Sequence, residues 1–491
     1  MFMNKTLATD SWVSSSMSKQ STPILFRIIH PFLWVVFFAS LIGMGVYFTQ
    51  DAVWNLGPYI RINGLSLVMI ATVTFFGAVI GTYAKNYLLG FKFQHLFSVF
   101  SLGFILSVLL FVISNHAALI VFSWFSMGLC MAKLIGINSD WEEAKSASRY
   151  ALRFFLSSSL LLALSLSILS YYAGSLLLND IFQRLETLPS AVLLLASLLL
   201  IFAGLIQSAL FPFHRWLLSA MTAPTPASAL MHAGFINGAG ILFTIFASVL
   251  VASNTLILLF VLGGLTAIIA QFIKLLQVNV KQKLACSTIA QMGFMVMQCG
   301  LGFFNAAIVH LILHGFYKAY LFLSSGEEVE MRTPQKPEKI RIKFLQGIIV
   351  GTFGLAGAAF FMWVTSKTSL TNSGVFLTLI VAITVGQATY NIIKEKSLNY
   401  FQRLGISLAL FIAGIGMYGL MYNGVSSLLR EMSYAVLPQL ITGVEFAFGM
   451  VFLVGFFLMK LAIYRKSPWL YVKLLNLAQP YKTTVLISKN N

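Results

Sequence analysis

The sequence predicts an all-α polytopic membrane protein, and three observations support this fold class. The chain has 491 residues, of which 58% are hydrophobic and only 9% are charged, with a mean hydropathy of +0.87. A soluble domain carries about 25% charged residues. Apolar runs of about 20 residues, the length that crosses a bilayer, recur along the chain. The basic residues between these runs are distributed asymmetrically, so the sequence also predicts a topology.

About fourteen apolar segments are long enough to be spans. The predicted spans are 31–49, 64–84, 95–113, 116–136, 151–173, 190–212, 226–250, 254–273, 285–301, 304–325, 343–365, 373–393, 402–422 and 437–461. Residues 1–30 are predicted to form a polar cytoplasmic tail, 31–461 the transmembrane domain and 462–491 a basic cytoplasmic tail. The N-terminal tail has no apolar core of the kind a signal peptide needs.

The charge distribution predicts that both termini are cytoplasmic. With the N-terminus placed inside, most of the 32 lysines and arginines fall on inner segments. The outer segments carry only Arg61, Arg184, Lys367 and Arg430. The positive-inside rule gives this asymmetry for an even number of spans in a cell inner membrane. The net charge of +18 is therefore mainly a topology signal, not an indication of nucleic-acid binding.

The segment 203–240 is apolar enough for a membrane and yet is interrupted by prolines. It reads AGLIQSALFPFHRWLLSAMTAPTPASALMHAGFINGAG and contains Pro212, Pro224 and Pro226. Proline removes a backbone hydrogen bond and clashes with the preceding helical turn. Broken helices at membrane depth lie inside protein or line a cavity. Two polar residues of this segment, Gln207 and His232, are therefore candidates for an ion path.

A Gly-rich stretch at 347–357 occupies a comparable place in the second half of the chain. Interrupted helices in corresponding halves are typical of inverted-repeat transporters. We therefore expect inverted repeats, with 347–357 as a second interrupted helix.

The run HLILHGFYK places His310, His314 and Lys318 on one face of a helix. Successive members are about 6 Å apart along the axis, so one water can bridge each step. Histidine titrates near neutral pH, and burial lowers the pKa of a lysine toward neutrality. A row of such groups suits proton transfer. Packing histidines beside a snorkelling lysine are one alternative. A zinc site is another, although it would need a third ligand.

Four further polar residues have open roles. His232 is either a relay member or a core histidine, and Gln207 either holds water or bonds between helices. Glu445 is either a proton site or the partner of a neighbouring helix, and Lys367 lies near a span end, where snorkelling is expected. We find no phosphate loop, nucleophile elbow or metal-ligand cluster, so the sequence predicts a transport subunit, not an enzyme.

The motifs of residues 60–330 resemble a known family. They are INGLSL (62–67), WFSMGL (124–129), ALFPFHRWLLSAMTAPTPASALMHAGFINGAG (209–240), KQKLACSTIAQMGFMVM (281–297) and NAAIVHLILHGFYKAYLFLSSG (305–326). They are similar to the antiporter-like, proton-conducting membrane subunits of respiratory complex I and of Mrp-type antiporters. The resemblance implies inverted repeats and a polar path through His232, His310, His314 and Lys318.

Two charged positions of that family are missing. The family carries Trp-Glu where this chain has Trp124 and Phe125, and it carries a lysine where this chain has Gln207. Lys367 resembles the family's second broken-helix lysine only weakly. One charged pair is thus lost, while the later relay is kept.

The segment FPFHRWLLSAMTAPTPASALMHAG is most similar to a divergent branch of this family. That branch supplies the membrane subunit of two-component inorganic-carbon accumulation systems. That resemblance implies a partner, a large cytoplasmic zinc-binding subunit related to β-carbonic anhydrases. Zinc is expected in the partner and no cofactor in this chain. Ion flow would energise one-way hydration of CO2 to bicarbonate.

Two alternative functions are also consistent with the sequence. The chain could be a cation/proton antiporter or a complex I-like pump subunit. It could also be a membrane anchor that conducts nothing and docks a soluble enzyme. The coupling ion, H+ or Na+, is left open by the sequence.

Overall fold

A computed structural model describes residues 24–50, 53–325, 344–366, 372–394, 399–432, 434, 436–437, 440–460 and 467–484. Within these ranges, twelve helices are long and apolar enough to cross a membrane. Each of the fourteen predicted spans corresponds to a helix or to a broken helix. The matching helices are α1 (Ile24–Gln50), α2 (Gly64–Tyr87), α3 (Gln94–Ile113), α4 (Ala117–Ile135), α5 (Glu142–Ala173), α7 (Ser190–Gln207), α9 (Thr225–Ala233) with α10 (Gly238–Ile245), α12 (Leu256–Lys274), α13 (Val280–Gly300), α14 (Phe304–Ser324), α15 (Phe344–Thr365), α16 (Gly374–Lys394), α17 (Tyr400–Leu428) and α18 (Gly443–Lys460).

Short elements connect these helices. They are α6 (Leu178–Gln183), α8 (Arg215–Ser219), α11 (Ala247–Ala252), α19 (Pro468–Leu477) and an antiparallel hairpin of β1 (Trp54–Leu56) and β2 (Ile60–Ile62). The hairpin is the one sheet in the described ranges, so the all-α class holds.

Several helices extend beyond the predicted spans. Helix α1 begins at Ile24, inside the stretch predicted as a polar tail, and α19 lies in the predicted C-terminal tail. Helix α5 begins with Glu142 and Glu143, before the apolar residues that marked the span. Acidic residues stabilise the first turn of a helix. Hydropathy detects only the apolar part of a helix, so the polar first turns of α5 were missed.

The predicted break in the chain is present. Helix α7 ends at Gln207, residues 208–214 are not helical, and a cis peptide bond joins Phe211 to Pro212. Protein groups satisfy the backbone at the break: Leu210 N donates to Leu205 O at 2.9 Å. The Trp216 indole donates to Ile206 O, also at 2.9 Å. These two bonds pair backbone groups where the chain leaves the helix at a buried depth, as a low-dielectric environment requires.

The expected interruption at 347–357 is wrong, because α15 is a continuous helix over this stretch. Its glycines serve packing instead. A Cβ on Gly354 would lie 3.0 Å from Ala382 O, and one on Gly357 would meet Val385 at 2.9 Å. Small residues of this kind let two membrane helices approach closely.

Loops that the charge rule assigns to one side come together in space. On the predicted outer side, Arg61 pairs with Glu431 at 3.6 Å and hydrogen-bonds Asn179. On the predicted inner side, Gln277 donates to Ala478 O at 2.7 Å. The alternation of spans inferred from charge is thus consistent with the contacts between loops.

Candidate functional site

The face of α14 carries a row of three polar side chains, of which His314 and Lys318 are buried and His310 is half-buried. The ring centroids of His310 and His314 are 6.1 Å apart and their planes are nearly parallel. Lys318, one turn further, is fully buried at 0% exposure. The helix thus brings the three residues together at the spacing inferred from the sequence.

Helix α13 supplies the next members of the row. Lys318 Nζ donates to Leu284 O at 2.8 Å, and Thr288 Oγ1 donates to the same carbonyl at 3.1 Å. The ring nitrogen Nδ1 of His232 lies 3.0 Å from Thr288 Oγ1. Threonine has one hydroxyl proton, so when it points to Leu284 O the hydroxyl can only accept from His232. His232 is then the Nδ1–H tautomer, and its Nε2 is an acceptor.

Helix α9 positions His232. The helix starts after Pro224 and carries Pro226 in its first turn, where a missing backbone N–H costs nothing. The imidazole stacks on Phe322 of α14, with ring centroids 4.3 Å apart. Ala229 and Ala233 are buried and small, which allows α9 to approach α14 closely. The proline-bounded helix therefore holds a histidine beside the lysine end of the row.

Several ring nitrogens of this row have unused bonding capacity. Neither nitrogen of His314 has a hydrogen-bond partner among the described residues, and the same is true of Nε2 in His232 and in His310. Leaving a buried polar atom unpaired costs about 1–3 kcal/mol. These atoms are therefore the positions where a transported species can form bonds.

Within the described ranges, no ion pair joins Lys318 to a carboxylate. The ion pairs found in the described ranges are Arg61–Glu431, Lys92–Asp140 and Lys145–Glu142, all distant from this row in the sequence. A buried charge without a partner is costly. Adding or removing a proton at Lys318 therefore changes the energy of the site.

The place of the missing charged pair is filled by neutral groups. Gln207 ends α7 and is buried, and neither amide atom has a partner in the described part of the chain. Its side chain and that of Trp124 both lie within 4 Å of the place a Cβ on Gly238 would occupy. The Trp124 indole donates to Ser158 Oγ at 2.9 Å, while Phe125 is 38% exposed and faces away from the core.

Glu445, another candidate, does not join the row. Glu445 lies in the first turn of α18, not in mid-span, and its Oε2 accepts from Thr442 N at 2.7 Å. It closes the start of that helix. Lys367 lies outside the described residues. Of the prolines, Pro212 lies in the break itself.

Sequence reasoning missed Thr288 and the Leu284 carbonyl. A lone threonine in an apolar run gives no signal, because most such hydroxyls bond to their own helix. A backbone carbonyl gives none at all. Within the described ranges, no group of three or more His, Cys, Asp or Glu could hold a metal ion.

The fold and the buried row define a class, the antiporter-like transmembrane subunits. A family model described as "NADH:quinone oxidoreductase/Mrp antiporter, TM" matches residues 114–341. The fold is similar to the Mrp complex from Dietzia, with a TM-score of 0.64, 20% identity, and coverage of 94% of this chain and 56% of that one.

Sequence relatives indicate which family within this class the chain belongs to. The chain is 28% identical to a "Probable inorganic carbon transporter subunit DabB" of Hydrogenovibrio crunogenus, over 87% of this chain and 82% of the relative. It is 30% identical to the protein of that description in Bacillus anthracis, over 72% of this chain and 70% of the relative. It is 32% identical to NADH-quinone oxidoreductase subunit L of Escherichia coli, over 62% of this chain and 51% of the relative. The chain belongs to the DabB family.

Proposed function

We propose that this chain is the ion-translocating membrane subunit of an energy-coupled inorganic carbon uptake complex, and that the ion is a proton. The observation that carries the proposal is the row of His310, His314 and Lys318, to which Leu284 O and Thr288 connect His232 by hydrogen bonds. The names of the DabB relatives supply the link to inorganic carbon.

The row suits stepwise proton transfer. Each imidazole can accept a proton at one nitrogen and release one from the other. The 6.1 Å between the rings of His310 and His314 is a distance that one water bridges. Proton carriage does not need the missing Glu–Lys pair, because neutral imidazole and amine groups accept protons directly.

Lys318 is the coupling group in this proposal. Its ammonium form is held by one backbone carbonyl and has no carboxylate within the described ranges. Loss of the proton weakens the bond from Lys318 to Leu284 O, the carbonyl to which Thr288 Oγ1 also donates, and Thr288 in turn bonds His232. Protonation of one side chain is thereby linked to the contact between α13 and α9.

The partner in this proposal is a large cytoplasmic zinc-binding subunit of the DabA type, related to β-carbonic anhydrases. It would use the ion flow to drive hydration of CO2 to bicarbonate, and the zinc would reside there. The chain would lie in the cell inner membrane with both termini cytoplasmic, as the lysine and arginine distribution predicts.

Growth rescue tests the proposal. The chain is expressed with its neighbouring gene in a strain that lacks carbonic anhydrase, in ordinary air. We expect rescue that an uncoupler abolishes and that Lys318→Ala abolishes at equal membrane abundance. Lys133→Ala is the matched control, because Lys133 is an exposed lysine at the end of α4.

Other outcomes favour the alternatives. A non-conducting anchor predicts rescue that survives the uncoupler and every variant of the row. A cation/proton antiporter or a pump subunit predicts no rescue, and a role that depends on other small membrane subunits. Rescue by this chain without the second subunit would contradict the two-subunit proposal.

A further inference from the structure

A cavity of about 330 Å³ lies at the His310 end of the row, between α13, α14, α15, α16 and α17. Its wall is mostly aliphatic and aromatic, with Phe294, Phe361 and Phe411 among the lining residues. The motifs that defined the family lie before residue 330, whereas most of this wall comes from helices after it. The cavity therefore lies mostly in a part of the chain that the row does not use, and the two share His310.

Three buried polar atoms of the wall have unused bonding capacity. They are His310 Nε2, Gln298 Oε1 and Ser407 Oγ, none of which has a hydrogen-bond partner within the described ranges. Gln298 and Ser407 are each 2% exposed. Buried polar groups are nearly always bonded, so these atoms indicate a ligand with a hydrogen-bonding group.

The wall excludes charged ligands. None of the described residues that line the cavity is Lys, Arg, Asp or Glu. A bicarbonate ion would lose its hydration here and gain no counter-charge, which is prohibitive in a buried apolar site. The occupant is therefore a neutral molecule.

The opening of the cavity identifies the source of that molecule. Four lining residues are exposed to the surroundings of the protein: Thr384, Ala388, Leu410 and Gly414. Thr384 lies halfway along α16 and Gly414 halfway along α17. In a membrane this height corresponds to the acyl-chain region. A ligand that enters here comes from the hydrocarbon of the bilayer.

We propose that this cavity binds a neutral, bilayer-soluble amphiphile, a hydrocarbon body with one hydroxyl group that donates to Gln298 Oε1 and also bonds to Ser407 and His310. The hydrocarbon packs against the apolar wall, and the polar group forms hydrogen bonds with the unpaired atoms. Binding at His310 Nε2 occupies the atom through which the row would exchange a proton. The binding site itself does not depend on the proposed function; only this effect on proton transfer does.

Photolabelling of the full chain in its membrane tests the site. The probe is a long-chain alcohol that carries a diazirine on its chain, and the control probe is the same hydrocarbon without the hydroxyl. We expect the alcohol to label α16 and α17 near 384–388 and 410–414 more strongly than the hydrocarbon does. Equal labelling by both probes would contradict a site that recognises a polar group.

Two glycines of α17 provide matched variants. A Cβ on Gly414 or on Gly416 meets nothing within 4 Å, so both positions accept a side chain, but only Gly414 lines the cavity. Gly414→Leu fills the cavity and should lower alcohol labelling about tenfold. Gly416→Leu should leave it unchanged. Labelling that survives Gly414→Leu at equal protein abundance would overturn the proposal.

Discussion

Single residues link the row on α14 to the histidine on α9. Thr288 does so by bonding both Leu284 O and His232 Nδ1, while Lys318 shares the same carbonyl. The structure thus makes Thr288 a positioning residue, one that fixes the tautomer of His232 without carrying a proton itself. Its removal should act on transport through His232.

Thr288→Val keeps the shape of the side chain and removes the hydroxyl. We expect loss of carbon-dependent growth rescue, with a stability loss of about 1–3 kcal/mol from the unpaired nitrogen of His232. Thr288→Ser restores the hydroxyl and should recover rescue. Equal rescue by the valine and serine variants would show that the hydroxyl does not position His232.

Part of this site was readable from the sequence. The spacing of His310, His314 and Lys318 follows from helix geometry alone, and the structure gives the expected separation of the rings. The approach of α9 to α13 depends on tertiary packing, for which a lone threonine gives no pattern. Phe125 and Gln207 were noted in the sequence as departures from the family pattern, but the bond between Trp124 and Ser158 was not foreseen.

Among the elements, the break after α7 depends on side chains that bond to its free backbone groups. The Trp216 indole takes Ile206 O, and Ser208 Oγ accepts from Ala239 N at 2.9 Å. Prolines predict where a helix stops. They do not predict which partners replace the lost backbone bonds, because those come from distant segments.

Trp216→Phe tests the indole bond. The ring contacts are largely kept, but Ile206 O loses the indole bond and retains the longer bond from Ala209 N at 3.3 Å, so we expect a stability loss of about 0.5–1.5 kcal/mol. Thermal unfolding in detergent measures it. Trp469→Phe is the control, since Trp469 is 69% exposed and should have little effect. Equal melting shifts for both variants would contradict the role of the indole.

The contact between α12 and α13 depends on facing glycines. A Cβ on Gly293 would lie 2.6 Å from both Ala267 N and Gly263 O, which are backbone atoms that cannot turn aside. Because α13 carries Thr288 and the Leu284 carbonyl, this contact also fixes part of the site.

Gly293→Ala should therefore separate the two helices and destabilise the protein by about 1–3 kcal/mol, the usual cost of overpacking. Gly405→Ala is a suitable comparison, because a Cβ there meets nothing within 4 Å. The readout is the melting temperature of each purified variant. A Gly293→Ala protein as stable as the Gly405→Ala protein would be inconsistent with tight packing at this contact.

On the scale of the whole molecule, the C-terminal segment 467–484 closes over the break from the predicted cytoplasmic side. The His214 ring donates from Nε2 to Leu477 O at 3.0 Å, and Tyr481 stacks on Tyr150 with ring centroids 4.2 Å apart. Tyr481 N donates to Ser219 Oγ. Residues far apart in sequence thus hold the C-terminal segment beside the break after α7.

Burial lowers the pKa of His214 below its ordinary value, the bond to Leu477 opposes that shift, and the Arg215 guanidinium adds to it. Docking of the segment is thus fully favoured above about pH 6.5 and is weakened as the pH falls below that value.

We expect proteolysis of 467–484 to accelerate as the pH is lowered from about 7.5 to about 5.5. His214→Gln should remove this acid effect, and His95→Gln, at an exposed position, should retain it. An acid effect that survives His214→Gln would rule out this histidine as its cause.

The overall fold was largely predictable, because composition and charge asymmetry act along the entire chain. The expected interruption at 347–357 failed for a physical reason: glycine permits a break but also permits close packing, and here it packs against α16. The docking of α19 was not predictable, since a polar tail carries no periodic signal that names its partner surface.

The central claim is that protons cross the membrane through Lys318. The direct measurement is the decay of an imposed pH gradient in liposomes that contain the chain with its purified partner. The wild-type complex should dissipate the gradient faster than protein-free liposomes, and Lys318→Ala should decay at the protein-free rate, with Lys133→Ala as fast as wild type. Wild-type decay in the Lys318→Ala liposomes would contradict the claim.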